Sequence, residues 1–158
     1  MADSFPITPA GLRRMKEEHK HLTSVERPRI SHEIEVARAH GDLRENAEYH
    51  AAKDKQGMLN AEIVRIESQL ADAEVVDTTK LKGDKIVFGA RVRLRNTDTE
   101  EEVNYHIVGP AEADMARGAI SYEAPLAKQL MGRRAGDEVK VRTPGGEREY
   151  EVLEVSFD

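Results

Sequence analysis

The chain has 158 residues and a formal net charge of −6, with 34% charged and only 4% aromatic residues, no Trp and three Phe. Such a composition excludes one large core and favours long solvated helices with narrow apolar seams. With no Cys at all, disulfides, thiolate zinc sites, iron–sulfur clusters and Cys nucleophiles are excluded.

No apolar run approaches the roughly 18 residues of a membrane span, and Asp3 in a polar start argues against a secretory leader. A soluble, cytoplasmic protein with no membrane partner is expected. The charge divides evenly: residues 1–76 carry 11 Lys and Arg against 14 Asp and Glu, and residues 77–158 carry 13 against 16. Neither half is a basic arm, so strong autonomous binding of nucleic acid through phosphate neutralisation is not expected.

Thr8-Pro9 reads as an N-cap followed by proline at the first helical position. Leu12, Met15, His19 and Leu22 then step along one helical face. Pro28 lacks an N–H, so a junction is expected near Ser24 to Pro28. Ile30, Ile34 and Ala37 continue the stripe until Gly41. The most regular seam follows, through Tyr49, Ala52, Gln56, Leu59, Ile63, Ile66, Leu70 and Ala73. A helix over 45–74 is predicted, joined to the preceding one by only a few residues, so the two pack antiparallel. His19 falls on the seam, which predicts weaker packing of the first helix when its ring is protonated.

The pattern then changes to period two. After a polar connector at 77–84, Lys85–Phe88, Arg91–Arg95, Glu102–Val108, Glu138–Arg142 and Arg148–Val155 read as strands. Asn96–Thr99 and Pro144-Gly145-Gly146 have the composition of hairpin turns, and a short helix over Pro125–Met131 is closed by Gly132. The expected organisation is α+β: a coiled-coil helical hairpin over 1–76 with its tip at 41–46, a linker at 77–84, and a mainly β domain over 85–158.

The candidate site is the tip. Asp42 and Glu45 are three apart, so on a helix they share a face and can share a divalent cation. Two carboxylates are too few for a hard octahedral ion, so a second molecule or several waters must complete the shell. The same spacing is also that of a capping box, with Asp42 as N-cap and Glu45 at N3, and spacing does not choose between the two. Arg38, Arg44, Lys53 and Lys55 form a small positive cluster beside these acids, readable either as a solvated face with i,i+4 pairs or as a phosphate-facing patch. His40 and His50 flank the tip, and a solvated role is the commoner one for such residues. No nucleophile elbow, phosphate loop or dinucleotide fingerprint is present, so an autonomous enzyme is not expected.

Ala37-Arg38-Ala39-His40-Gly41-Asp42-Leu43-Arg44-Glu45-Asn46-Ala47-Glu48-Tyr49-His50-Ala51-Ala52-Lys53 resembles the signature of the bacterial GreA transcript cleavage factors. Val87-Phe88-Gly89-Ala90, Ile107-Val108-Gly109, Glu112-Ala113-Asp114, Ile120-Ser121 and Thr143-Pro144-Gly145-Gly146-Glu147 follow in the same order, so the resemblance covers nearly the whole chain. It implies an FKBP-like C-terminal domain that docks on bacterial RNA polymerase, and a coiled coil that enters the secondary channel of a backtracked complex. It further implies that Asp42 and Glu45 direct a Mg²⁺ shared with the polymerase, none being bound by the factor alone, and that Arg38 and Lys53 contact the 3′ end of the nascent RNA. Ser121, Glu123 and Pro125 fall in the loop matching the docking motif. The polymerase's own centre cleaves the RNA, so the factor is an activator and not itself an enzyme. Lys53 stands where the family usually has Arg, which removes bidentate phosphate geometry. The alternative function is a regulator on the same scaffold that inhibits or tunes the polymerase without cleavage. A free-standing metal nuclease is a third reading, opposed by the deficient ligand count.

Overall fold

The structure is a computed structural model and describes residues 4–42, 46–78 and 81–157. In chain order it contains strand β1 (Phe5–Ile7), helix α1 (Pro9–His21), a π-helical turn (Leu22–Glu26), and helices α2 (Arg27–Arg38) and α3 (Ala47–Asp72). Strands β2 (Ala73–Val75), β3 (Arg91–Asn96), β4 (Glu102–Val108) and β5 (Ala119–Ser121) follow, then helix α4 (Pro125–Leu130) and strands β6 (Glu138–Thr143) and β7 (Gly146–Ser156). This is the expected α+β arrangement of an antiparallel helical hairpin and a mainly β domain. Packing separates Leu12–Asp72 from the described residues on either side of it. No helix among the described residues is long and apolar enough to cross a membrane.

The start of α1 follows its sequence signals. Thr8 precedes Pro9, and its hydroxyl oxygen accepts a hydrogen bond from the Gly11 N–H at 3.0 Å, the N-cap to N3 geometry that satisfies an orphan donor of the first turn. At the expected junction the chain does not break. It widens by one residue, and the Arg27 N–H donates to the Leu22 carbonyl, an i to i+5 bond. Pro28, in the first turn of α2, has no N–H and crowds the carbonyl four residues back. The wider turn relieves that crowding. Thr23 and Ser24 support it by donating their hydroxyls to the carbonyls of His19 and Lys20, at 2.9 and 2.5 Å.

Within the hairpin the predicted seam is the buried one. Ile30, Ile34, Ala52, Leu59 and Ile63 form its core, with Leu22 and Tyr49 packed against it. Ile63 and Ile66 are each 1% exposed, which marks the middle of α3 as the best-packed stretch of the seam. His19 is half-buried and its Nε2 lies 3.5 Å from Glu67 Oε1 on α3. Residues 73 and 74, expected to extend α3, instead open β2, which pairs in parallel with β1 through Phe5↔Ala73 and Ile7↔Val75.

The second core lies under a five-stranded sheet of order β5-β4-β3-β7-β6, antiparallel except for the β4–β5 pair. Alternation along β3 buries Val92 and Leu94 and turns Arg91 and Arg93 outward, as a sheet with one packed face requires. The α4 helix adds Ala127 and Leu130 to this core. The segment 85–88 is not a strand, contrary to its alternating pattern. Ile86 is fully buried, yet the stretch makes a single bridge, Lys85↔Arg134, before the chain turns at Gly89 with φ 91°. Alternation there records a buried side chain, and the turn ends the pairing. The β6–β7 hairpin closes as predicted, with Thr143 opposite Gly146 across Pro144-Gly145.

Candidate functional site

The tip is built by the ends of α2 and α3. The α2 helix closes with a tight turn in which His40 N–H donates to the Ala37 carbonyl at 3.1 Å and Gly41 N–H to the Arg38 carbonyl at 3.3 Å. Gly41 takes φ 112°, a conformation that side chains with a Cβ avoid, and this reverses the chain direction at the helix end. Asp42 follows it, exposed. Glu45, the second predicted acid, and Arg44 lie outside the described residues.

The cap of α3 is Asn46. Its Oδ1 accepts the Tyr49 N–H at 3.0 Å, three residues into the helix as an N-cap requires. The capping box expected from Asp42 and Glu45 is thereby corrected: the helix begins at Ala47, four residues beyond the position at which Asp42 could cap it. Asn46 Nδ2 also donates to the Ala37 carbonyl at 2.5 Å, so one amide satisfies a donor at the start of α3 and an acceptor at the end of α2. Only one orientation of the amide serves both partners. His40 and Glu48 pair across the same end, Nε2 to Oε2 at 3.4 Å. His40, Asp42, Asn46, Ala47 and Glu48 line an open concavity.

The positive cluster is less concentrated than the sequence suggested. Arg38 is the exposed last residue of α2 and Lys53 lies exposed on the second turn of α3. Lys53 Nζ donates to Gln56 on its own helix at 3.1 Å. Lys55 instead crosses the hairpin to pair with Glu33 at 3.4 Å. Among the described residues there is no group of three or more His, Cys, Asp or Glu able to hold a metal ion. The donor set fits a hard cation in kind but not in number, since carboxylate oxygens suit Mg²⁺ while six ligands are needed. Asp42, with Glu45, would hold such an ion only with waters or a second molecule completing its shell.

The other predicted residues share one loop. Ser121 ends β5, and its Oγ accepts the Glu123 N–H at 3.1 Å. Its carbonyl accepts the Ala124 N–H at 2.9 Å. Pro125 begins α4, where its missing N–H costs nothing. Tyr122 anchors the loop from within: its ring meets Phe88 edge-on at 6.1 Å and its hydroxyl donates to Glu123 at 3.2 Å. Loss of water around the phenol, and after it that bond to Glu123, push the Tyr122 pKa up. Tyr122 and Asn46 were missed in the sequence. An Asn directly before a helical seam is a readable cap signal, and the nearby Asp42 obscured it.

An antiparallel helical hairpin with an acid at its turn, joined to a domain built on a five-stranded sheet, defines a two-part α+β class of protein. Residues 5–75 match the family described as "Transcription elongation factor, N-terminal" and residues 80–157 that described as "Transcription elongation factor, GreA/GreB, C-term". The transcription elongation factor GreA of Anaeromyxobacter sp. (strain K) is 53% identical over 152 residues, covering 96% of this chain and 92% of that protein. That of Magnetococcus marinus is 50% identical over 157 residues, covering 99% and 100%. Among solved structures, GreA factor homolog 1 of Thermus thermophilus is 25% identical, covering 97% of this chain and 99% of that one, with a TM-score of 0.44. The chain belongs to the GreA/GreB family of transcription elongation factors.

Proposed function

We propose that this factor stimulates the intrinsic cleavage of backtracked RNA by bacterial RNA polymerase, with its hairpin in the secondary channel and its tip at the active centre. The observation that carries this reading is at the tip: Asn46 caps α3, and Asp42 stands exposed at the turn that precedes it. At 26 residues, α3 is about 39 Å long.

In this reading Asp42 and Glu45 present carboxylate oxygens toward the polymerase centre, whose own ligands complete the shell around a shared Mg²⁺. The chemistry supplied at such a two-metal site is stabilisation of the attacking and leaving oxygens during phosphodiester cleavage. Arg38 and Lys53 hold the RNA 3′ end through its phosphates, which is effective once docking has made the contact intramolecular. Ser121, Glu123 and Pro125 dock the sheet domain on the polymerase.

The test uses elongation complexes stalled in a backtracked state with 3′-labelled RNA, and the same RNA without polymerase. Short labelled fragments released only when polymerase, Mg²⁺ and the factor are all present are the expected result. Cleavage of naked RNA would make the protein a nuclease. Binding to the complex without fragments would make it a regulator that does not stimulate cleavage.

A further inference from the structure

Asn46 stands at the one place where both helices of the hairpin end together. Helix termini leave carbonyls and N–H groups without partners inside the helix, and at a hairpin turn two such ends are adjacent. The Ala37 carbonyl accepts from His40 N–H and from Asn46 Nδ2, while Asn46 Oδ1 takes the Tyr49 N–H. The amide is half-buried, and Ala37 beneath it is only 2% exposed, so water competes poorly for these bonds. Residues 38–45, Asp42 among them, run between the two anchor points.

We propose that Asn46 is a positioning residue for transcript cleavage: its amide bridge from Ala37 to Tyr49 fixes the base of the turn and thereby the placement of Asp42. This rests on the cleavage reading above. The chemistry required is specific, because one group must donate to α2 and accept from α3 at once. Aspartate keeps the acceptor and remains a good N-cap, but it has no donor for the Ala37 carbonyl and sets a charge against it. Asn46→Asp thus separates the bridge from the cap.

The test compares full-length wild type with Asn46→Asp and, as a second variant, Asn46→Ser, which also caps helices but lacks the amide donor. Amide hydrogen exchange on the free protein is expected to accelerate at least fivefold at His40 and Gly41, and to change less than twofold at Ile63. In backtracked complexes the maximal cleavage rate at saturating factor is expected to fall at least fivefold, while the factor concentration giving half that rate stays within twofold. Unchanged exchange at His40 and Gly41, an unchanged maximal rate, or a rise in half-saturating concentration that accounts for the lost rate would each overturn the role of Asn46. Absence of cleavage with wild type would instead overturn the reading on which it rests, and this outcome is distinguished by the wild-type lane alone.

Discussion

The Glu112 carboxylate accepts the Thr8 N–H at 3.0 Å across 104 residues of sequence, and it also accepts the Thr8 hydroxyl. The same carboxylate takes the Gly109 N–H at 3.2 Å. It therefore satisfies the backbone just ahead of α1 and holds the cap residue whose oxygen serves Gly11. Glu112 is 9% exposed, so its removal leaves buried donors without acceptors at a cost of about 1–3 kcal/mol each.

This arrangement reverses an ordinary rule at Gly11. Alanine in a helix is favoured over glycine by about 1 kcal/mol, but a Cβ at Gly11 would fall 2.0 Å from Glu112 Oε1 and 2.6 Å from its Cγ. Gly11→Ala is expected to destabilise by about 1–3 kcal/mol, as overpacking does. In a Glu112→Ala background the same substitution should be neutral or stabilising. Chemical denaturation of the four proteins of this cycle checks it, and equal destabilisation by Gly11→Ala in both backgrounds would contradict it.

Burial ranks the hairpin positions. Ile63, 1% exposed, should lose about 2–5 kcal/mol on truncation to alanine. Lys55→Ala, which removes only the exposed pair with Glu33, should change stability by less than about 1 kcal/mol. Thermal melts of the two variants side by side give the comparison, and a Lys55 effect matching that of Ile63 would refute it.

If Ser121, Glu123 and Pro125 dock on the polymerase as proposed, their loop predicts a different kinetic signature from the tip. Glu123→Ala or Pro125→Ala should raise the half-saturating concentration in the cleavage assay by about tenfold, on the order of 1.4 kcal/mol of binding. The maximal rate should stay within twofold. Tyr122→Phe removes the hydroxyl bond to Glu123 and keeps the ring against Phe88, so its effect should be smaller. A fall in maximal rate for the loop variants would place the loop in the cleavage step instead.

Lys53 offers a substitution expected to improve function. An arginine there would present a planar fork to phosphate where lysine presents a point charge. Lys53→Arg is expected to leave cleavage equal or up to several-fold faster and Lys53→Ala to slow it about two- to tenfold, within what one charge-assisted bond contributes. Rates measured at saturating factor decide this, and an unaltered rate for Lys53→Ala would remove the residue from the proposed RNA contact.

What the sequence disclosed tracks how local each signal is. The seam from Ala52 to Ile66 was legible because a helical repeat reports its own buried face. Thr8-Pro9 was legible because a cap and an N1 proline act within four residues. The pairing of β1 with β2, and the grip of Glu112 on Thr8, were not, since they join residues whose sequence separation carries no pattern. At the tip the capping-box spacing pointed to Asp42, and only the bonds of Asn46 to Ala37 and Tyr49 show where α3 is capped. Pro28 announced a disturbance but not its form, because a break and a π-helical turn both relieve the same clash.

The central claim is that Asp42 acts in the cleavage step and not in binding. The most direct measurement is the rate of transcript cleavage in backtracked complexes as a function of factor concentration, for wild type and Asp42→Ala. The account predicts that Asp42→Ala lowers the maximal rate at least a hundredfold, about 2.7 kcal/mol of transition-state stabilisation. It also predicts that Asp42→Ala competes with wild type for the complex at nearly equal concentration. A variant that cleaves at the wild-type rate, or one that loses cleavage only because it no longer binds, would contradict it.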